Sequence, residues 1–572
     1  MLKRAKSRSL MIVFSCLAVL ILLLSACGAP SGGGGNTGGN PVKGGTWTDD
    51  LFEDADSLIP NGSVETFADM IDQAIYTPLF VGDKDANINA ALAKEVPTVA
   101  NGDISSDFKT ITIHLKSGLK WNDGQPLDAR DVDFTWKTWV NPKFGAASTL
   151  GYNYIKSADL TDNNLTITFH LTQAYAPFVA TLWVDGLVAL LPMHHFASMP
   201  VESILKSPDN LNPSVTNGPF KMSESKPGDH YTLVRDPTYY QASQNLPYLD
   251  SVVFRIVPNQ DTILKDLQAG TITSAWFLDV SKTVAYQRLS NYTLTSAPKL
   301  TNFEAMYFNF NNPILGHDAG VRKAMAMAID HQSLIDVARR GEAQPLCTDH
   351  GSALKPGYQP DAPCPKFDPA AANTLLDSEG WAMGSDGYRH KGNEILDFNY
   401  STTAGNLWRG DDELILQANF KKIGVKMEIQ NYPASTFFDG FLTDGKASPA
   451  TGAVSGRFDI AEFESSFGYD ADDASVASCS QIPPNGFNIM FYCNHQLDSL
   501  YTQEESTAEP TARQAIFNQI HQIYLTDFPF VTLYSPLDIA MAKKGTHNYV
   551  PAAGGASETI SLWTWWCTGG SC

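Results

Sequence analysis

Two stretches in the first third of the chain alternate apolar and polar residues, which is the pattern of a strand with one face in a core. The alternating apolar positions are Ile111, Ile113 and Leu115 in the first stretch, and Leu165, Ile167, Phe169 and Leu171 in the second. Both stretches are predicted to be half-buried β-strands, and a long insertion separates them.

Three stretches in the second half of the chain combine helical spacing with residues that begin and end helices. The first is bounded by positions 368 and 380 and has Pro369 in its first turn, and the second lies between positions 411 and 424. A third helix is predicted to begin at Asp318. The strand-like segment 425–429 follows the second helix, and this alternation of helix and strand indicates α/β layers.

The N-terminal segment has the parts of a secretory signal. Basic residues at positions 3, 4, 6 and 8 precede the apolar run Leu10–Leu24, which is short for a membrane span. The sequence that follows, Leu24-Ser25-Ala26-Cys27, resembles the bacterial lipobox, in which the cysteine is lipidated and becomes the first residue of the mature chain. Residues 1–27 are therefore predicted to be a lipoprotein signal peptide and lipobox, with Cys27 as the anchor. An ordinary signal peptide with a coincidental cysteine is the alternative.

The segment after Cys27 is predicted to be a flexible tether over residues 28–44. Residues 28–40 read GAPSGGGGNTGGN, a composition with almost nothing to bury. No later stretch is long and apolar enough to span a membrane. We therefore expect an extracytoplasmic protein that is lipid-anchored to the outer face of the cytoplasmic membrane, at the cell surface or in the periplasm.

Composition excludes one class of partner and bounds the number of cores. The 572 residues carry a formal net charge of −21, and removal of the basic signal makes it more negative, so nucleic acid is not an expected partner. A chain of this length implies two or three cores.

Six cysteines follow Cys27, and an even number outside the cytoplasm indicates disulfides. Of the fifteen possible pairings, proximity in sequence favours Cys347–Cys364, Cys479–Cys493 and Cys567–Cys572. Zinc is the weaker alternative, because no CxxC or paired-histidine spacing accompanies these cysteines.

The segment 119–132 reads LKWNDGQPLDARDV, and here the chain resembles the extracytoplasmic solute-binding proteins of ABC transporters, in the peptide/nickel-binding family known as family 5. That family has a strand, an aromatic-polar-Asp-Gly turn and then Pro-Leu-x-Ala-x-Asp-Val at the start of a helix. Asp123 and Gly124 can make the turn and Asp128 can cap the helix, so the motif builds structure and is not a ligand site.

Four further blocks are similar to the family and occur in its order. They are 217–220 with 235–240, then 267–273, 308–330 and 375–425. With weaker similarity at both ends, the resemblance spans about residues 44–536, which is nearly the whole mature chain.

The resemblance implies an α/β protein with the two-lobed type II periplasmic-binding-protein fold and an additional α/β domain. Lobe I would comprise 45–83, 213–300 and 527–572, the extra domain 84–212, and lobe II 301–526. A ligand would be enclosed between the lobes.

Family members that take peptides hold the ligand ammonium with an aspartate in the second lobe. The corresponding segment here begins at 458–460, lacks the family's tryptophan and reverses its Asp-Tyr order. Because an enclosed ammonium needs a carboxylate partner, Asp470 is predicted to be the clamp, with Tyr469 beside it at the ligand. The alternative is that this acidic loop is solvated or caps the next helix.

Five other residues are predicted to contact the ligand. Trp276 and Phe277 follow the 267–273 block at the edge of the first lobe's sheet. Trp408 and Arg409 precede the 411–424 helix, and the planar fork of arginine suits a ligand carboxylate. Asn309 lies on a predicted strand with its amide toward the cleft. The alternative for Trp276 and Phe277 is core packing, and the alternative for Arg409 is a surface salt bridge. The amide of Asn309 would otherwise satisfy buried backbone groups.

No metal site and no cofactor are predicted. His194 and His195 are adjacent, a poor arrangement for ligating one ion, and His195 is predicted to be structural. The acidic run 470–473 lacks the spaced ligands and the glycine of an EF-hand loop.

A binding protein is favoured over an enzyme, because the chain contains neither HExxH nor GxSxG. A pair of carboxylates of the glycosidase kind is the remaining route to a secreted hydrolase. The predicted function is a monomer that captures di- or oligopeptides by hinge closure and delivers them to an ABC permease. Another solute, such as an oligosaccharide or a metal chelate, and a sensory role are the alternatives.

Overall fold

The computed structural model describes residues 40–572, except 64, 185–187, 299–300, 434–435, 467, 485 and 551–557. The predicted signal segment, Cys27 and nearly all of the tether lie outside the described residues. Residues 41–572 form one compact unit. Within the described ranges, every helix is too short or too polar to cross a membrane.

The strands of the described residues are numbered in chain order. They are β1 Thr46–Leu51, β2 Phe80–Gly82, β3 Ile88–Ala90, β4 Thr110–His114, β5 Ile155–Thr161, β6 Thr166–Leu171, β7 Phe220–Lys226, β8 His230–Arg235, β9 Ser251–Ile256, β10 Ser274–Ala275, β11 Tyr292–Pro298, β12 Asn302–Phe308, β13 Ala343–Gln344, β14 Ala382–Met383, β15 Arg389–Lys391, β16 Glu394–Ile395, β17 Asp397–Ser401, β18 Lys426–Ile429, β19 Ile460–Ser466, β20 Phe530–Lys543, β21 Thr546–His547 and β22 Trp566–Cys567.

The helices of ten or more residues in the described chain are also numbered in order. They are α1 Thr66–Ile75, α2 Ala129–Trp139, α3 Gln260–Ala269, α4 Ala319–Ala328, α5 Pro369–Ser378, α6 Leu407–Lys422, α7 His495–Glu505 and α8 Pro510–Asp527. Shorter α-helical turns are Phe178–Leu182, Met193–Phe196, Thr283–Tyr286, His331–Ser333 and Ala474–Ala477.

All three predicted helices are present. The side chain of Asp318 caps α4, and the side chain of Asp368 caps α5 by accepting a hydrogen bond from the Ala371 N–H. The predicted start of α6 at position 411 is wrong, because Asn406 caps the helix earlier and accepts a hydrogen bond from the Arg409 N–H at 3.2 Å. This earlier start places Arg409 in the first turn of the helix.

The largest sheet contains two groups of strands joined by one long strand. Its main path is β18-β17-β19-β12-β20-β10-β1-β9-β8-β7. Residues 530–534 of β20 pair with β12, and residues 537–543 pair with β11. We call β1 and β7–β11 half I of the sheet, and β12 and β17–β19 half II. The chain passes between the halves at β20 and again between β11 and β12.

The two alternating stretches near the N-terminus form neighbouring strands of a separate antiparallel sheet, in the order β4-β6-β5. Ile111 pairs with Phe169 and Ile113 with Ile167, which confirms the predicted apolar faces. The buried face packs on a core that includes Trp121, Trp139 and Trp183 among the described residues. The boundaries of the three predicted domains stay a prediction.

The three predicted cysteine pairs are all disulfides. Cys347–Cys364, Cys479–Cys493 and Cys567–Cys572 have Cα–Cα separations of 4.9, 4.6 and 5.4 Å. Each disulfide closes a short local loop, so proximity in sequence was a sufficient guide to the pairing.

Candidate functional site

In half I, the parallel strands β1 and β10 end side by side, and the residues after them leave the sheet at one edge. Asp50 and Ala275 are paired in register, so Phe52, Glu53 and Phe277 leave the sheet at the same edge. In open α/β sheets, ligands bind in the crevice outside the carboxyl ends of parallel strands. This edge is therefore where a ligand wall is expected.

Half II presents the same kind of edge. Strand β17 is parallel to both β18 and β19. The chain after β17 leads into α6, which places Trp408 and Arg409 in its first turn. The chain after β19 leads to Tyr469 and Asp470.

The two edges meet through aromatic rings. Phe277 of half I and Trp408 of half II have ring centroids 5.7 Å apart. Phe52 and Phe67 lie 5.5 and 6.2 Å from Phe277. Phe277 has a φ of 58°, a left-handed conformation that is unfavourable for a bulky residue and is concentrated at functional positions. We call Phe52, Phe67, Phe277 and Trp408 the cleft cluster.

Arg409 lies beside the cleft cluster, but it binds an internal carboxylate. Its Nε and Nη2 donate to the two oxygens of Glu304 at 2.8 and 3.3 Å, and Nη1 donates to Thr403 Oγ1 at 2.9 Å. Glu304 is fully buried; burial raises its pKa, and the Arg409 charge opposes that shift. The prediction that Arg409 binds a ligand carboxylate is therefore corrected. The guanidinium group of Arg409 forms a salt bridge with Glu304, and the bridge is buried because the Glu304 side chain points inward from β12.

Two carboxyl groups of half I line the same region and were not predicted. Burial raises the pKa of Glu53 above its ordinary value, and the nearby charge of Arg409 offsets only part of this rise. Burial, together with the neighbouring charges of Glu53 and Asp56, raises the pKa of Glu65 to about 7. Both glutamates are partly exposed. The half I wall is therefore acidic beside an aromatic surface. The rule that selected Phe277, namely the position just after a strand, also points to Glu53.

Asp470 is held by an internal partner. Arg513 of α8 donates to its two oxygens, from Nη1 at 2.7 Å and from Nη2 at 2.5 Å. Arg513 also donates from Nε to the buried Glu504 at 2.8 Å. The acidic loop is thus neither solvated nor a simple cap. Because both Asp470 oxygens are used by Arg513, its role as an ammonium clamp stays a prediction that this geometry does not favour.

Tyr469 packs against the short strand β2, which lies outside half I. Its ring lies against Gly82 at the end of β2, where an added Cβ would overlap the ring. The same ring lines a small open pocket together with Tyr240, Val81 and Trp563. Tyr469 is thus at a junction between the chain after β19 and residues that flank half I, as a ligand-contacting residue would be.

Two other predicted residues lie in the interior. Asn309 is fully buried, and its amide donates to the carbonyl oxygens of Phe458 at 2.7 Å and Gly445 at 3.3 Å. Trp276 is buried in the core that also contains Trp47. The prediction that Asn309 faces the ligand is corrected, because its side chain satisfies buried backbone. Trp276 supports the cleft through its edge contact with Phe277 at 5.3 Å.

The adjacent histidines are used separately. His194 Nε2 lies 2.8 Å from Asp123, and His195 Nε2 lies 2.9 Å from Asp209. The two rings have different partners, which agrees with a structural role.

The sequence profile described as "Bacterial extracellular solute-binding proteins, family 5 Middle" matches residues 87–481. The chain belongs to this family. The predictions of a solute-binding protein rather than an enzyme, and of an extracytoplasmic location, are confirmed by this membership.

Among curated relatives, the oligopeptide-binding protein AppA of Bacillus subtilis is 26% identical over 549 residues, covering 94% of both chains. The solved structure of that AppA in complex with a nonapeptide superposes with a TM-score of 0.80 at 21% identity, covering 92% of this chain and 100% of the other. NikZ from Campylobacter jejuni in complex with Ni(L-His) gives a TM-score of 0.78 at 21% identity, covering 91% and 99%. The two-lobed type II fold is confirmed.

Proposed function

We propose that this family 5 protein captures peptides between the two halves of its sheet and delivers them to an ABC permease. The observation that carries the proposal is the meeting of the two carboxyl-end edges at Phe277 and Trp408, 5.7 Å apart. Residues of both halves that touch each other at the ligand edge are what a closed binding cleft requires.

The chemistry of the walls suits a peptide. Aromatic faces accept apolar side chains at little entropic cost. The indole Nε1 of the buried Trp408 has no hydrogen-bond partner in the described chain, and buried indole N–H groups are normally paired. A peptide carbonyl would satisfy this donor. Glu53 and Glu65 offer carboxylates to a ligand ammonium, the role first predicted for Asp470.

The mechanism we propose is hinge closure. The halves are joined by β20 and by the connection between β11 and β12, so a rotation at these two crossings opens the cleft without disturbing either half. Ligand that contacts both walls binds the closed form more tightly and shifts the population toward it. The permease would recognise the closed form.

The location we propose is the outer face of the cytoplasmic membrane, through lipid on Cys27. Lipidation is supported by sequence alone: the lipobox-like Leu24-Ser25-Ala26-Cys27 and the glycine-rich segment after it. We also propose that the protein acts as a monomer.

The test is native mass spectrometry of the protein purified from cells grown in peptide-rich medium. We expect a set of bound masses that fit short peptides. Trp408→Ala and Glu65→Gln are each expected to weaken peptide binding at least tenfold, while Lys137→Ala, on the exposed side of α2, leaves it unchanged. A single non-peptide mass, such as a metal chelate, would contradict the peptide assignment but keep the binding protein. An unliganded protein that binds no added peptide would contradict both.

A further inference from the structure

A second cluster of chemically reactive side chains lies inside half II, away from the cleft cluster. Asp349 and His350 follow β13 and lie close to Cys347 of the first disulfide, and His521 lies on α8. All three side chains are almost completely buried, with 2%, 0% and 1% of their surface exposed. Histidines and aspartates are seldom buried without a partner or a metal.

Three ligand atoms of this cluster converge. Asp349 Oδ1 lies 3.0 Å from His350 Nδ1 and 3.1 Å from His521 Nε2, and the two nitrogens are 2.8 Å apart. Metal bonds of about 2.1 Å at right angles place neighbouring ligands about 3.0 Å apart. The three atoms therefore have the spacing of one face of an octahedron, the arrangement of a two-histidine, one-carboxylate site.

His350 Nδ1 and His521 Nε2 form a hydrogen bond with each other, whereas the contacts of Asp349 Oδ1 with the two rings have poor hydrogen-bond geometry. Asp349 Oδ1 accepts no hydrogen bond of good geometry from the described residues, although two ring nitrogens lie within 3.1 Å. His350 Nε2 lies 2.7 Å from the Ala471 carbonyl oxygen, which can only accept, so this nitrogen carries the proton. In neutral His350 the lone pair is then on Nδ1, directed at the cluster. A carbonyl that fixes a histidine tautomer in this way is the usual outer partner of a metal ligand.

Asp349 carries a buried negative charge that a cation would balance. Asp473 is also fully buried and lies within hydrogen-bond reach of Asp349; one of its oxygens accepts from Tyr524, and Oδ1 has no partner in the described chain. Among the described residues, neither carboxylate has a lysine or arginine within 4.0 Å. Two small pockets flank Asp349, one also lined by Asp473 and the other by His521.

We propose that Asp349, His350 and His521 bind one divalent first-row transition metal ion. Nitrogen and oxygen ligands of this kind suit zinc, cobalt, nickel, iron or manganese rather than calcium. Through His350 the ion would hold Ala471, and with it the neighbouring Tyr469, whose ring packs against β2. The sequence could not show this site, because its ligands are up to 172 positions apart in sequence and follow no ligand spacing.

The alternative to a bound metal ion is protonation of His350. Burial lowers and the Asp349 carboxylate raises the pKa of His350, with a net value of about 9, while burial lowers the pKa of His521. A protonated His350 would neutralise Asp349 without a metal. The experiment must therefore count metal ions directly.

The test uses the purified protein, stripped with a chelator, dialysed and then exposed to Zn²⁺ or Co²⁺. Elemental analysis is expected to find one ion per chain in the wild-type protein and at least a tenfold lower occupancy in His521→Gln and Asp349→Asn. The control His194→Gln removes a partly exposed histidine that pairs with Asp123, and it is expected to keep one ion. Circular dichroism checks that each variant folds.

X-ray absorption at the zinc edge of the wild-type protein gives a second readout that needs no variant. Scattering from two imidazoles is expected. Any one of three results would overturn the proposal: the wild-type protein retains neither zinc nor cobalt, the His521→Gln variant retains as much metal as the wild type, or the bound zinc shows no imidazole scattering. These outcomes are independent of peptide binding.

Discussion

Replacement of Arg409 tests whether this residue is structural, as its contacts indicate, rather than a ligand-binding group. Arg409→Met removes the only cation that the structure places within 4.0 Å of Glu304 among the described residues, and Glu304 is fully buried. Breaking a buried pair by removing one partner costs about 3–5 kcal/mol, since the remaining charge is left uncompensated.

The magnitude can be converted into a melting temperature. Unfolding entropy of about 2.1 cal/mol/K per residue gives about 1.1 kcal/mol/K for a unit the size of 41–572. The expected fall in Tm for Arg409→Met is therefore about 3–5 °C, measured by calorimetry or circular dichroism. The double variant Arg409→Met with Glu304→Gln removes both charges and is expected to recover more than half of the loss.

The matched control is Arg340→Met, which breaks the exposed ion pair of Arg340 with Asp411 of α6. That pair has a 3.2 Å contact and side chains 47% and 41% exposed, so its loss is expected to cost less than about 1 kcal/mol. Equal effects of Arg409→Met and Arg340→Met, or no recovery in the double variant, would refute the reasoning.

Three further perturbations follow from the packing and the charges. Burial raises the pKa of Glu413 to about 7 and that of Asp50 to about 8, so the folded state binds more protons than the unfolded state between about pH 4 and 8. Tm is therefore expected to fall by a few degrees from pH 5.5 to 8. A Tm that rises over this range would contradict the expectation. Gly82→Ala is expected to lower the free energy of unfolding by about 1–3 kcal/mol, because the added methyl overlaps the Tyr469 ring. If the Gly82→Ala/Tyr469→Ala double variant loses more stability than the two single variants lose together, the ring is not the cause. Replacing both cysteines of Cys479–Cys493 by serine is expected to cost about 3 kcal/mol, because the sequence separation is 14 residues, and an unchanged denaturation midpoint would argue against it.

Local features of the fold were predictable from sequence because their causes are local. Capping by Asp318 and Asp368, the alternation around Ile111 and Ile167, and the short disulfide loops each depend on residues that are close in the chain. The start of α6 was mispredicted because Asn406 and Asp411 are both acceptable caps, and only the fold shows which one is used.

The site was harder to predict because its partners are distant in sequence. Phe277 was predicted from its position after a strand, and the structure places it at the carboxyl-end edge of half I; its contact with a ligand stays a prediction. Arg409 and Asp470 were predicted to contact the ligand, and the structure pairs them with Glu304 and Arg513, 105 and 43 positions away; the ligand role of Asp470 stays a prediction. No local pattern encodes such a pair, since a buried charge is compensated by whichever element packs against it.

The most direct test of the central claim is the distance between the halves as peptide is added. Spectroscopic labels introduced at Val284 beside half I and Leu414 on α6, each 61% exposed, would be measured by pulsed electron spin resonance in the chelator-treated protein. We expect a broad distribution of distances without peptide, and a shorter and narrower distribution when peptide binds. A distribution that peptide binding leaves unchanged would contradict closure of the cleft on its ligand.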